Sequence, residues 1–182
     1  ETHHLWNAWA EASGLPISDM MNSWTEQMGF PLLTVKSSKF SATSATLELA
    51  QEWFLADGSK AAGDEDKVWC IPILAATSSG TQNDVFMMRE KNMTITVPLA
   101  KAGDWVKLNA GQQCPFRVGY NSEMIELMAK GIQDKTMDAS DRVGVLLDSY
   151  ALVKAGKLGA GELIKLLNSY TKETEGTVWE AI

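Results

Sequence analysis

Apolar positions at the start of the chain, Leu5, Trp6, Ala8, Trp9 and Ala12, recur every three or four residues. This spacing predicts a helix, and Gly14 is placed to end it. Pro16 suits the first turn of a second helix, whose expected buried stripe is Ile17, Met20, Met21, Trp24 and Met28, closed by Gly29 with Pro31 just beyond. The pattern then changes to strict alternation. Leu47, Leu49 and Gln51 alternate with Glu48 and Ala50, as a half-buried strand requires. A Gly/Asp/Lys-rich loop from Asp57 to Lys67 precedes a strand expected over 68–74. Pro72 cannot donate to a ladder, so that strand is expected at a sheet edge or with a bulge there. Further strands are expected over 93–97, 105–108 and 116–120.

After Tyr120 the helical period returns. Asn121 or Ser122 can cap a helix carrying Met124, Ile125, Met128 and Ile132. Asp138 or Ser140 can cap another, with Val143, Leu146, Leu147, Tyr150 and Val153 expected inward and Gly156 as its stop. Gly161 to Tyr170 reads as a third, presenting Leu163, Leu166, Leu167 and Tyr170, and a fourth starts near Glu173. The expected fold is mixed and mainly β. An antiparallel β-sandwich over 31–120 is flanked by an N-terminal helical pair (1–30) and a solenoid-like helical segment (121–182).

Composition changes this picture little. The 182 residues are 45% hydrophobic and 21% charged, which suits a packed globular chain. The net charge of −7 and the lack of a Lys/Arg cluster argue against nucleic acid as partner. No apolar run approaches the roughly 18–20 residues that span a bilayer, so no membrane partner is expected. The N-terminus has no initiator Met and no signal-peptide pattern, and the chain is expected to begin inside a longer product. Two cysteines, Cys70 and Cys114, are no disulfide framework and fit a reducing, cytoplasmic compartment.

No complete catalytic constellation emerges. A zinc hydrolase needs two His at helical spacing with a Glu between them, whereas His3 and His4 are adjacent and point apart on a helix. Cys70 lies in an apolar run, and Cys114 precedes Pro115 with no activating base in view, so a cysteine-based redox role is a minor reading. Asp57, Asp64, Glu65 and Asp66 lack the spacing of a calcium loop. Gly156 to Gly161 lacks the Lys-Ser/Thr end of a phosphate loop, and Ser78-Ser79-Gly80 is no nucleophile elbow. Trp6, Trp9, Trp24, Trp53, Trp69, Trp105 and Trp179 fall mainly at apolar phases and are expected in cores.

An ordered series of stretches resembles the puromycin-sensitive-type zinc aminopeptidases of the gluzincin class. Leu5-Trp6-Asn7-Ala8 with Glu11-Ala12-Ser13-Gly14 is similar to the helix closing that family's thermolysin-like catalytic domain. Met21 to Pro31 is similar to its M-x-x-W-x-x-Q-x-G-[FY]-P stretch, leading into a sandwich at Leu33-Thr34-Val35. Leu47-x-Leu49-x-Gln51-x-x-Phe54, Trp69-x-Ile71-Pro72-Ile73, Lys107-Leu108-Asn109-x-Gly111-Gln112 and Phe116-Arg117-Val118-x-Tyr120 resemble the sandwich strands in order. Asp141-Arg142 with Leu146, Asp148 and Gly156 is similar to the entry into the C-terminal helical domain, with Trp179 in its continuation.

The resemblance implies a parent enzyme that removes N-terminal residues from peptides with one zinc ion. Residues 1–30 would end its catalytic domain, 31–120 would be its sandwich and 121–182 would start its helical domain. In the family, zinc is held by H-E-x-x-H and a downstream Glu, a G-x-M-E-N strand binds the substrate amine, and a Tyr steadies the oxyanion. None of these has a matching position here. The expectation is therefore a non-catalytic piece with no catalytic, substrate-binding or metal residue and no cofactor of its own, acting as a spacer between neighbouring domains and capable of self-association. The alternative from another class is a free-standing sandwich and helical module that binds a partner protein.

Overall fold

The computed structural model describes residues 2–60, 63 and 66–182. Helices α1 (Thr2–Ser13) and α2 (Ile17–Thr25) come first. Strands β1 (Pro31–Phe40), β2 (Ser44–Trp53), β3 (Ile71–Thr77), β4 (Gly80–Met88), β5 (Asn92–Pro98), β6 (Lys107–Leu108) and β7 (Arg117–Gly119) follow. The chain ends in α3 (Ser122–Gln133), α4 (Ala139–Lys154), α5 (Ala160–Leu167) and α6 (Gly176–Ala181), with a 3-10 turn over Asn168–Lys172. Mixed class, sandwich and helical flanks match the expectation, although helices hold more residues than strands do. No described helix is long and apolar enough to cross a membrane.

One sheet has the order β5-β2-β1-β7 and the other β4-β3-β6. Pairing is antiparallel except at one edge, where β1 and β7 run parallel with Leu33 opposite Val118. A parallel neighbour needs a long crossover, and here the whole second sheet lies between β1 and β7 in the chain. Period-two alternation decides which faces meet. Leu33 and Val35 of β1, Leu47 and Leu49 of β2, and Ile95 and Val97 of β5 join Ile71, Ile73 and Ala75 of β3 in one buried cluster. Each such Leu or Ile contributes roughly 1.5–3 kcal/mol by leaving water.

Three expectations for residues 1–120 need correction. The strand expected over 68–74 begins only at Ile71, because residues 68–70 bond elsewhere. Gln51 Oε1 accepts from Trp69 N (2.8 Å) and Gln51 Nε2 donates to Trp69 O (2.9 Å) and Glu90 O (2.9 Å). Cys70 N donates to Ser23 Oγ, while Trp24 Nε1 donates to Cys70 O. Pro72 lies where β3 pairs only with β4, since β6 reaches no further than Ala75 and Ala76; the bulge falls between Leu74 and Ala76. Second, β4 carries no apolar alternation and was not expected. It is an edge strand exposed along most of its length, so backbone pairing alone defines it. Third, α2 buries no residue fully and Met28 is 75% exposed, because the helix ends at Thr25 before reaching it.

In the helical segment Asn121 caps α3, its Oδ1 accepting from Met124 N at 3.0 Å, and Met124, Ile125, Met128 and Ile132 are buried as expected. Gly14 and Gly156 end α1 and α4 in the left-handed region (φ 67° and 65°). The inward face of α4 differs from expectation. Leu147 and Tyr150 are exposed, and the buried face carries Asp141, Arg142, Gly144, Val145, Leu146, Asp148, Ser149 and Leu152. The helix is rotated because its charged residues find partners inside.

Candidate functional site

The residues weighed for chemistry stay apart. His3 and His4 lie on the exposed first turn of α1, their ring centroids 4.1 Å apart and the rings tilted by 40°. Cys70 and Cys114 are free thiols, both pushed up in pKa by burial, which lowers their reactive thiolate fraction. Asp57 accepts from Ser59 N and Oγ in a local turn, and these bonds hold its carboxyl below the usual range. Asp66 is exposed, and Asp64 and Glu65 lie outside the described residues. Among the described residues no three His, Cys, Asp or Glu side chains are grouped to hold a metal. Ser78 and Ser79 form the β3–β4 hairpin turn, where Asp104 accepts from Ser78 N and Oγ. In the glycine-rich loop, Gly156 N and Lys157 N are spent on Val153 O and Leu152 O. Trp69 and Trp105 are core residues as expected, whereas Trp9 and Trp179 are about half exposed, lying on outer faces of α1 and α6.

What does converge is a buried polar junction between the end of the sandwich and α4. The Lys107 side chain is 1% exposed; its Nζ donates to Leu108 O (3.0 Å) and Asn109 O (2.6 Å) and pairs with Asp141 Oδ1 at 3.1 Å. The same carboxylate oxygen accepts from Gly111 N at 2.7 Å. Asn109 sits in the left-handed region (φ 56°), which Asn tolerates. Its side chain braces the turn, donating to Gln112 Oε1 and Cys114 O and accepting from Cys114 N. The turn packs closely on α4 at Gly144, where a β-carbon would overlap the Gln112 amide and oblige that side chain to move.

Two turns farther along α4 the pairing continues. Asp148 accepts from Arg117 Nη1 (3.1 Å) and from Val118 N (3.1 Å), so it also satisfies an amide at the outer edge of β7. Tyr120 Oη accepts from Leu108 N and donates to Leu108 O. On the other flank, Arg142 makes a two-pronged pair with Glu173 (2.7 and 3.0 Å) and donates to Met137 O, while Tyr170 Oη donates to Arg142 O.

Burial dominates the electrostatics. It lowers the Lys107 pKa against the pull of Asp141, and raises Tyr120 well above its ordinary value, with the Asp148 charge adding. Burial also raises Asp148 to about 6, opposed by Arg117 and by Val118 N–H. Glu173 moves the other way, to about 2, because Arg142 and the amides of Glu175 and Thr174 stabilise its charge. Beside the Arg117–Asp148 pair a cleft of about 340 Å³ opens, walled by Phe30, Pro115, Phe116 and Leu147. Sequence reasoning quoted Lys107, Arg117, Asp141 and Asp148 only through resemblance and did not foresee their burial. The available signal was phase: Asp141 and Asp148 share a helical stripe with Val145 and Leu152.

The ERAP1-like C-terminal domain family matches residues 105–182. A puromycin-sensitive aminopeptidase from Caenorhabditis elegans is 35% identical over 100% of this chain, which covers 19% of that relative. Aminopeptidase M1-A from Oryza sativa subsp. japonica is 36% identical over 98% of this chain and 20% of its own length. Over its whole length the chain matches a fragment of M1-family aminopeptidases. An alanine/arginine aminopeptidase from Saccharomyces cerevisiae is similar at 30% identity over 100% of the chain and 20% of its own length. The chain thus spans about a fifth of the length of these relatives. The domain match begins at Trp105, ahead of α3, and so takes in β6, β7 and the entire polar junction.

Proposed function

We propose that this chain is the non-catalytic connecting part of a cytoplasmic zinc aminopeptidase that removes N-terminal residues from peptides. Residues 1–30 end the catalytic domain, 31–120 form the sandwich and 121–182 begin the helical domain. The sandwich sets the separation of the two lobes and hence the space left for peptide between them. Zinc and its hydrolytic water belong to the parent. The described residues include no ligand set for the metal, so no step of hydrolysis is assigned to them. One observation carries the reading: two neighbouring stretches at the end of the sandwich, Lys107 to Gln112 and Arg117 to Tyr120, meet Asp141 to Asp148 of α4 in a single junction of buried and half-buried ion pairs. Such a junction supports a fixed angle between sandwich and helices. The purified chain is expected to hydrolyse no aminoacyl-amide and to retain no stoichiometric zinc after dialysis; either signal above a buffer control overturns the proposal. Tyr150 and Trp179, about half exposed on the packed helices α4 and α6, favour a second reading as an interaction module. Capture of one defined partner by this chain, but not by a longer polypeptide, selects that reading.

A further inference from the structure

The cleft beside β7 has walls and donors of different kinds. Phe30, Pro115 and Leu147 supply apolar surface, and Arg117 and Gln112 both line it. Arg117 is one-third exposed, and Nη1 is its only side-chain atom bonded among the described residues, leaving Nε and Nη2 as free donors. Gln112 is oriented by its neighbour. Its Oε1 accepts from Asn109 Nδ2, which fixes Nε2 as a donor with no partner among the described residues. Unspent donors of Arg117 thus stand beside an apolar wall in a space of about 340 Å³, with the Gln112 amide at its margin where it packs on Gly144 of α4.

We propose that this cleft binds an apolar carboxylate, with Arg117 and Gln112 holding the carboxylate and Phe30, Pro115 and Leu147 covering the hydrocarbon. A planar guanidinium matches a carboxylate in two-pronged geometry, and the apolar wall selects acids with an alkyl or aryl end over acetate. The site is independent of the hydrolytic role assigned to the parent.

Binding here is coupled to protons. The ligand shares its guanidinium with Asp148. The titratable or charged groups that face Asp148 are Arg117 from β7, Lys107 from β6 and Tyr120 just after β7, with Asp141 two turns earlier on α4 holding Lys107; Cys114 lines the same cleft. Burial already sets Asp148 near 6. A second anion at Arg117 raises it further, so the complex takes up a proton, and affinity rises as pH falls through this range.

The test is a heteronuclear NMR titration of the full chain with acetyl-leucine and with acetyl-leucinamide, at about pH 5 and about pH 8. Acetyl-leucine is expected to displace resonances of residues 112–117 and 147, and to bind about tenfold more tightly at the lower pH. The amide is expected to displace none of them. Arg117→Met should weaken binding about tenfold or more. Gln112→Leu, which leaves the Arg117–Asp148 pair intact, should weaken it several-fold and stands in if the first variant does not fold. Asp148→Asn should bind at the higher pH as tightly as the unsubstituted chain does at the lower. Equal binding of acid and amide, undiminished affinity in the Arg117 or Gln112 variant, or undisplaced resonances at both pH values each overturn the proposal. Parallel titration with 4-methylpentanoate, which lacks the peptide group, separates the sources. Equal affinity assigns the cleft to small apolar acids, tighter acetyl-leucine to peptide C-termini.

Discussion

Gly131 shows how one missing side chain governs packing. A β-carbon there would overlap the indole of Trp105, which is held in place by its Nε1 donating to Thr136 Oγ1 at 3.0 Å. Alanine would gain about 1 kcal/mol of helix propensity, but a rigid ring cannot yield as a flexible chain end would. Gly131→Ala is expected to lower stability by a net ~1–3 kcal/mol in chemical denaturation. The titrating residues act in opposite senses. Asp148 has its pKa raised from 3.8 to about 6, so between those values the folded chain holds a proton that the unfolded chain has lost. This contribution is fully present below the unfolded value and is lost as pH rises to 6, a change on the order of 3 kcal/mol. Glu173 is lowered from 4.5 to about 2, so its contribution is present above 4.5 and lost as pH falls toward 2. Denaturation midpoints across pH should show both slopes. Asp148→Asn should remove the first alone, and Glu173→Gln the second. Neither carboxylate could be ranked from sequence, because a pKa depends on burial and on charged partners brought from elsewhere in the chain, as Asp148 with Arg117 and Glu173 with Arg142, each 31 positions apart, illustrate.

At the level of elements, β6 is only two residues long, yet it anchors α4 through Lys107 and Asp141. Removing one member of a buried pair leaves the other charge without compensation, which costs about 3–5 kcal/mol; replacing both by apolar groups costs far less. Lys107→Met is therefore expected to destabilise strongly, and Lys107→Met with Asp141→Leu to recover much of the loss, as a double-mutant cycle in urea would show. Elements with a strong period were legible: Met124, Ile125, Met128 and Ile132 mark the buried face of α3, and Leu47 and Leu49 the inward face of β2. Elements defined by partners were not. Residues 68–70 look like strand, but they bond to Ser23, Trp24 and Gln51 instead of a ladder. For α4, counting only apolar residues placed Leu146 inward correctly but turned Leu147 and Tyr150 inward as well, because the buried face is partly ionic.

Across the whole molecule, burial is uneven. Neither α1 nor α2 contains a fully buried residue, whereas α3 and α4 contribute to the main core. Local opening is easiest where few apolar contacts hold a segment. Amides of α1 are expected to exchange with solvent well ahead of those in α3 and α4 in hydrogen-exchange measurements; equal protection would contradict this ordering. The sequence by itself determined the class of fold, the ends of α1 and α4, the inward faces of β2 and α3 and the likeness to a family, since these follow from local period, caps and ordered motifs. The tertiary structure alone decided the parallel β1–β7 edge, the rotation of α4 and the gathering of Lys107, Arg117, Asp141 and Asp148 into one junction. The physical reason is that a charge can be buried only when its counter-charge arrives from elsewhere in the chain, and local pattern carries no record of that arrival.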